Sequence, residues 1–372
     1  MTQALGRHSR RPIAIGLIGL IGVALVVVAT VEFRAHPAAT PATPTPTPSL
    51  YTGLDSTLPN EPGADPYWYL TGVAVGDTFV MATAGGHQIW YGDGKSWAEA
   101  DTSMLQGMVI QQLVTYGGGV MAVGGPGASY APGLEVATSS DGRQWTRLQI
   151  ADPSVFDDVS MLDAVSGPAG VVIWAGSQTW LSDDGVHWQA GDALSPDWSS
   201  SMSVYGGPKG YEAVGGPATV DSSGGVPSFA AGSSDGLHWS THPWRLPSDV
   251  GVDVVPLPEG FLALAAPGTE AHDFDSISSG ATGWRRLGNR LPFNRDFGFN
   301  LASDGRRAVV TTTEGIWQST DGQHWTELAN MSTTGLNTPW FIVIGKAGIV
   351  SSNNTRGSDP QRTLVFIPAP EN

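Results

Sequence analysis

The stretch "SSDGRQW" at 139–145 is written again, with small changes, as "LSDDGVHW" at 181–188, "SSDGLHW" at 233–239 and "STDGQHW" at 319–325. A first copy, "YGDGKSW" at 91–97, carries Tyr91 where the others have Ser, and a further one, "SSGATGW" at 278–284, has lost Asp and Gly but keeps Ser278 and Trp284. Aligned on the closing Trp97, Trp145, Trp188, Trp239, Trp284 and Trp325, the copies stand 48, 43, 51, 45 and 41 residues apart. A period of that size marks an array of similar structural units.

Each unit reads as four short β-rich runs between Gly-containing turns; in the third they are "SMLDAVSG", "GVVIWAGS", "QTWLSDD" and "VHWQAG". With 49 Gly, 27 Pro and only 14% charged residues, the composition suits many short strands. Four strands per unit predict an all-β propeller, favoured over a solenoid because the units carry no helix pattern. A mean spacing of 45.6 fits residues 51–372 seven times. The expectation is therefore seven four-stranded blades, with six as the alternative if the tail caps the ring. After Trp325 only three strand-like runs remain, "WFIVIG", "AGIVSS" and "RTLVFIP", so the seventh blade needs a strand from the chain start, around "SLYTGLD". Without that pairing sheet edges stay open.

Within the turn, Asp93, Asp141, Asp184, Asp235 and Asp321 each precede a Gly, among them Gly142, Gly185, Gly236 and Gly322. A carboxylate there can accept amides of its own turn, and Gly can take a positive φ. Ser139, Ser182, Ser233 and Ser319 are placed to bond across the hairpin, and the Trp to pack into the blade. The erosion of the copy at 278–284 suits a structural part better than a catalytic one.

This pattern resembles the Asp-box, or BNR, repeat of sialidase-like β-propellers, Ser-x-Asp-x-Gly-x-x-Trp. The copies here are one residue shorter between Asp and Trp. The resemblance spans about 51–330 and implies the propeller fold, with the box on the turn between third and fourth strands and away from the substrate face. It implies no activity, since such repeats also occur in sortilin-type receptors, photosystem assembly factors and other binding propellers. Sialidases of this family use three Arg, a Tyr with a Glu, an Asp and an Arg-Ile-Pro motif. This chain has no Arg-Ile-Pro and no Arg between Arg34 and Arg143.

The N-terminus divides into a basic segment, 1–11, with Arg7, Arg10 and Arg11; an apolar run, 12–31, long enough to span a bilayer; and a Pro/Thr-rich linker, 32–50. The expectation is an uncleaved signal anchor with a cytoplasmic N-terminus, so that the propeller, 51–372, lies outside the cytoplasm as a single-pass, monomeric membrane protein. Beyond Arg34 stand 14 basic and 33 acidic residues. That balance argues against nucleic acid, which demands basic surface. The chain has no Cys.

His187, His238 and His324 each precede a motif Trp on different units and cannot converge on one metal. "HDFDS" at 272–276 places Asp273 and Asp275 two apart as possible oxygen ligands to Ca²⁺, a pair that reads more readily as a solvated loop. Neither a metal nor a cofactor is expected. Binding belongs instead to the variable loops opposite the boxes, where the candidates are Tyr130, Trp198, Asp221, Glu270, His272, Arg290, Arg295, Asn353 and Arg356. The reading is a binding module for a protein or cell-envelope glycan without catalysis, the alternative being a glycoside hydrolase of sialidase-like fold.

Overall fold

The computed structural model describes residues 54–57, 70–127, 131–160, 162–194, 202–215, 229–243, 252–265, 275–278, 284–287, 291–292, 299–312, 315–330, 341–353 and 363–369. The segments 1–11, 12–31 and 32–50, expected as basic tail, signal anchor and linker, lie outside them. Among the described residues no helix is long and apolar enough to cross a membrane.

Six blades follow one another along the chain: Leu70–Glu99, Met108–Leu148, Asp163–Ala190, Ser203–Pro243, Val252–Arg286 and Asn300–Asn330, hereafter blades one to six. Each is a four-stranded antiparallel sheet whose strands lie in sequence order. A seventh sheet combines Ile342–Ile344, Gly348–Asn353 and Thr363–Pro368 with Leu54–Thr57. Leu54–Thr57 pairs antiparallel with Thr363–Phe366, the two ends of the chain meeting one residue pair at a time. The innermost strands lie side by side in order, and Ile342–Ile344 lies against Leu70–Val75 of blade one. The fold is a β-propeller.

The apolar core is divided among the joints rather than pooled at a centre. Seven clusters of buried side chains each draw on two neighbouring sheets; Val80, Ala82 and Ile89 of blade one, for example, meet Leu113, Val120 and Trp145 of blade two. This is what sheets stacked face to face require, since each buries both faces.

The two ends of the ring differ. In blades one to five the first and second strands are joined by two-residue hairpins, closed by the pairs Val75↔Thr78, Tyr116↔Gly119, Gly167↔Gly170, Gly207↔Gly210 and Leu257↔Gly260. At the opposite end, the segment between second and third strands runs from two residues in blade three, Gly176–Ser177, to thirteen in blade four, 216–228. Two 3-10 turns, Ser103–Leu105 and Pro153–Phe156, lead into the innermost strands of blades two and three at that variable end, and they carry the exposed side chains Met104 and Val155.

Candidate functional site

The repeated turn joins the third and fourth strands of its blade, as its resemblance implied. In blade three the Gly185 amide donates to Ser182 Oγ at 2.8 Å, and the Ser182 hydroxyl donates to Asp184 Oδ1 at 3.2 Å. The same Oδ1 accepts the amides of Val186 and His187 at 2.8 and 2.7 Å. The serine thus bonds within the turn rather than across the hairpin. Asp184 Oδ2 lies 2.6 Å from His187 Nδ1, and the same arrangement recurs at Asp235 with His238 and at Asp321 with His324. These histidines occupy three different blades, each tied to its own carboxylate, and among the described residues no group of three or more His, Cys, Asp or Glu could hold a metal.

The bonds are strong enough to move the titrations. Asp184 is held well below the usual carboxylate range, by the His187 side chain first and the turn's amides after it. Asp235 is lowered in the same way, by the His238 amide first and then its ring, and His238 is raised in return. At Asp321 partial burial is the largest single influence and acts upward, but the amide and ring of His324 together with the Gln323 amide override it.

The turn also reaches outside its blade. A Cβ on Gly185 would stand 2.8 Å from Met121 and Leu148 of blade two, and one on Gly142 would stand 2.3 Å from Val80 of blade one. The carbonyls of Arg143, Val186 and Leu237 accept the amides of Asp101, Ala151 and Asp192, each at the end of the preceding blade, at 2.9, 3.0 and 2.7 Å. All six motif tryptophans sit in clusters shared with the preceding sheet. The expectation that the Trp packs into its own blade is therefore corrected: it wedges between two. The cause is sheet stacking, which leaves the outer strand's inward face against its neighbour.

Blade five, with its eroded turn, uses another device. In blades two, three and six the indole N–H donates to the turn's own Gly carbonyl: Trp145 to Gly142, Trp188 to Gly185, Trp325 to Gly322, at 3.1–3.2 Å. Trp284 instead donates to Glu212 Oε1 of blade four at 2.8 Å. Glu212 is completely buried, and the same oxygen lies 2.8 Å from His242 Nε2. His242 is raised in consequence, its bond to Glu212 being the largest cause.

Along the ring axis runs a lumen of about 950 Å³, lined by the innermost strands and the first hairpins. Along the innermost strands Thr71, Gln112, Asp163, Ser203 and Asp253 occupy one register, each four residues before the pair that closes its hairpin, and Gln112 lines the lumen. Thr71 Oγ1 accepts the Leu113 amide, which ties blade one to blade two. Asp163 and Asp253 are exposed, and burial is what pushes their carboxyls up. The two observations agree for carboxylates that reach water while the surrounding protein displaces part of the solvent that would stabilise a charge. Tyr205, lining the lumen, is pushed up to about 12, by burial first and by the charge of Asp253 second.

Of the binding residues expected from sequence, Tyr130, Trp198, Asp221, Glu270, His272, Arg290, Arg295 and Arg356 lie outside the described residues, and Asn353 ends the strand Gly348–Asn353. The cation candidate at 272–276 is divided: 272–274 lie outside, while Asp275 and Ser276 belong to the third strand of blade five. Sequence reasoning missed Asp163, Asp253 and Glu212, because strands, not motifs, place them. The signal that was available is the polar position at a constant distance before each first hairpin.

No protein-family model and no curated protein matches this chain. Solved structures do. "YCF48 bound to D1 peptide" is 14% identical with a TM-score of 0.52, over 82% of this chain and 98% of that one. "Kuenenia stuttgartiensis Hydrazine Synthase" is 12% identical with a TM-score of 0.50, over 81% and 96%. A SapL1 lectin in complex with alpha methyl fucoside is 14% identical with a TM-score of 0.42, over 70% and 95%. At these identities the likeness concerns the fold alone.

Proposed function

We propose that this chain is a membrane-anchored, extracytoplasmic β-propeller that acts as a binding module for a protein or cell-envelope glycan and performs no catalysis of its own. In this reading residues 12–31 are the signal anchor and 32–50 a stalk. The ring has seven blades, the seventh closed by the pairing of the chain ends, and the repeated turns are Asp boxes serving as joints. A monomeric propeller presents its variable loops to the partner.

The observation that carries the reading is the contrast between the two ends of the ring. One end repeats nearly identical two-residue hairpins, while segments at the other range from two to thirteen residues. Diversity on a uniform, rigid scaffold is the arrangement of a recognition surface. The repeated Asp, Ser, Gly and Trp are meanwhile engaged in holding turns and blades. A structural neighbour that binds a peptide is compatible with a protein partner.

The test is thermal shift and hydrolysis, on the purified full-length protein, against a panel of sialosides, other glycosides, cell-wall fragments and peptides. Stabilisation without turnover supports the binding module. Turnover abolished by exchanging an acid on the variable face would replace it with the glycoside hydrolase.

A further inference from the structure

We propose that the hollow between blades one and two at the variable end of the ring is a binding site for a neutral sugar ring, with His87, Thr102, Ser103 and Gln106 as its polar contacts. The site rests on the binding-module reading and narrows its glycan arm to one place and one class of ligand.

The hollow has a volume of about 340 Å³ and is lined by His87, Thr102, Ser103, Leu105, Gln106 and Gly107. That is the lower end of the range for small-molecule sites, room for one ring rather than a chain. His87 stands in the segment between the second and third strands of blade one, and the other five in the connection from blade one to blade two. Both segments belong to the variable end, and both are pinned. Gly85 donates to Ile110 O at 2.6 Å, and Ile110 donates to Gly86 O at 3.0 Å. Leu105, buried in the core of the joint, closes its turn through an amide bond to Thr102 O at 2.8 Å. Arg147, which also pairs with Glu135, donates to Gln106 O at 3.2 Å. A hollow already held in shape loses little freedom when it is filled.

The lining selects the ligand. His87 Nδ1 lies 2.6 Å from Met108 O. A carbonyl only accepts, so in the neutral ring Nδ1 carries the proton and Nε2 is left as an acceptor. His87 is exposed, and no partner for Nε2 is among the described residues. The lining holds no carboxylate, ammonium or guanidinium. The neighbouring Asp101 is already engaged by the amide of Ser103, at 3.0 Å, and by its hydroxyl. An anion therefore finds no counter-charge in the lining, and neither does an amine. An apolar molecule would strip water from the imidazole, amide and hydroxyls without replacing its hydrogen bonds. Sugar hydroxyls both donate and accept, which matches one imidazole acceptor beside hydroxyl and amide groups that do both. Met104, exposed between the lining residues Ser103 and Leu105, offers apolar contact to the ring's C–H face.

The experiment is saturation-transfer NMR and calorimetric titration of the full-length protein at neutral pH. The probes are the methyl glycosides of glucose, galactose, mannose and N-acetylglucosamine, with N-acetylneuraminic acid and glucosamine as charged controls. Saturable binding of at least one neutral glycoside is expected, and of neither control. His87→Phe, which keeps a ring but no acceptor, should weaken that binding about threefold or more. Gln106→Ala, which leaves the main chain and its bond to Arg147 in place, should weaken it to a similar extent with an unchanged melting temperature. A neutral glycoside that binds wild type and both variants alike would overturn this site while leaving the binding module intact. Charged sugars that bind as tightly would also overturn it. So would the absence of binding by any neutral glycoside, which would leave the wider reading with its protein partner alone.

Discussion

At the joint between blades two and three an exposed turn does the holding: Asp184 gathers two amides, a hydroxyl and an imidazole, while Gly185 and Trp188 press on blade two. At the joint between blades four and five, where the turn has lost its Asp and Gly, a buried carboxylate receives both an indole and an imidazole. The first device is rewritten in blade after blade, because partly solvated bonds each contribute little and tolerate loss. The second concentrates the load on one charge that water does not reach, where losing a partner is far more damaging.

Four substitutions break or sharpen that contrast. The largest effect is expected from Glu212→Ala, which leaves Trp284 and His242 without their acceptor and opens a hole. A loss of about 3–5 kcal/mol in chemical denaturation is expected, and a loss no larger than that of a surface variant would erase the distinction between the joints. Gly236→Ala comes next. At φ 76° its Cβ would stand 2.8 Å from Val172 and 3.1 Å from Leu181 of blade three, so strain and overpacking together should cost about 2–4 kcal/mol. Asp184→Ala removes acceptors from a largely solvated site and should cost about 1 kcal/mol. His187→Ala, at a side chain 73% exposed, should change stability by less than about 0.5 kcal/mol, separating the carboxylate's contribution from the ring's.

The two devices also differ in the sign of their pH response. Asp184 has a lowered folded pKa, so its contribution is present above the unfolded value of about 4 and fades as pH falls below it. His242 has a raised folded pKa, so its contribution is full below about 6.5 and is lost as pH rises through the raised value. The melting difference between wild type and Glu212→Gln should therefore shrink as pH rises past neutrality, while that between wild type and Asp184→Ala should shrink toward acid. Parallel profiles for the two variants would contradict the assignment.

Much of this fold was legible because its punctuation is local. Asp, Gly and Trp within seven residues specify a turn, and the spacing of the Trp specifies the unit. Even the closing pairing was legible as arithmetic, since three runs after Trp325 lacked a fourth, although the pairing strand, Leu54–Thr57, begins later than "SLYTGLD". What could not be read is what crosses between units. Glu212 and Trp284 stand 72 residues apart, and Asp163 and Asp253 share one position only through the register of their strands. A motif search sees neither, because each of these residues is unremarkable in its own neighbourhood.

The account's central claim is that the repeated turn is a joint between blades rather than a site of chemistry. Amide hydrogen exchange in Asp184→Ala tests it most directly, through the Ala151 amide of the preceding segment, which donates to Val186 O at 3.0 Å. The account predicts that Ala151 loses protection while Asp192, bonded to the next blade's Leu237, keeps it. Loss confined to blade three's own amides, with Ala151 unchanged, would contradict it.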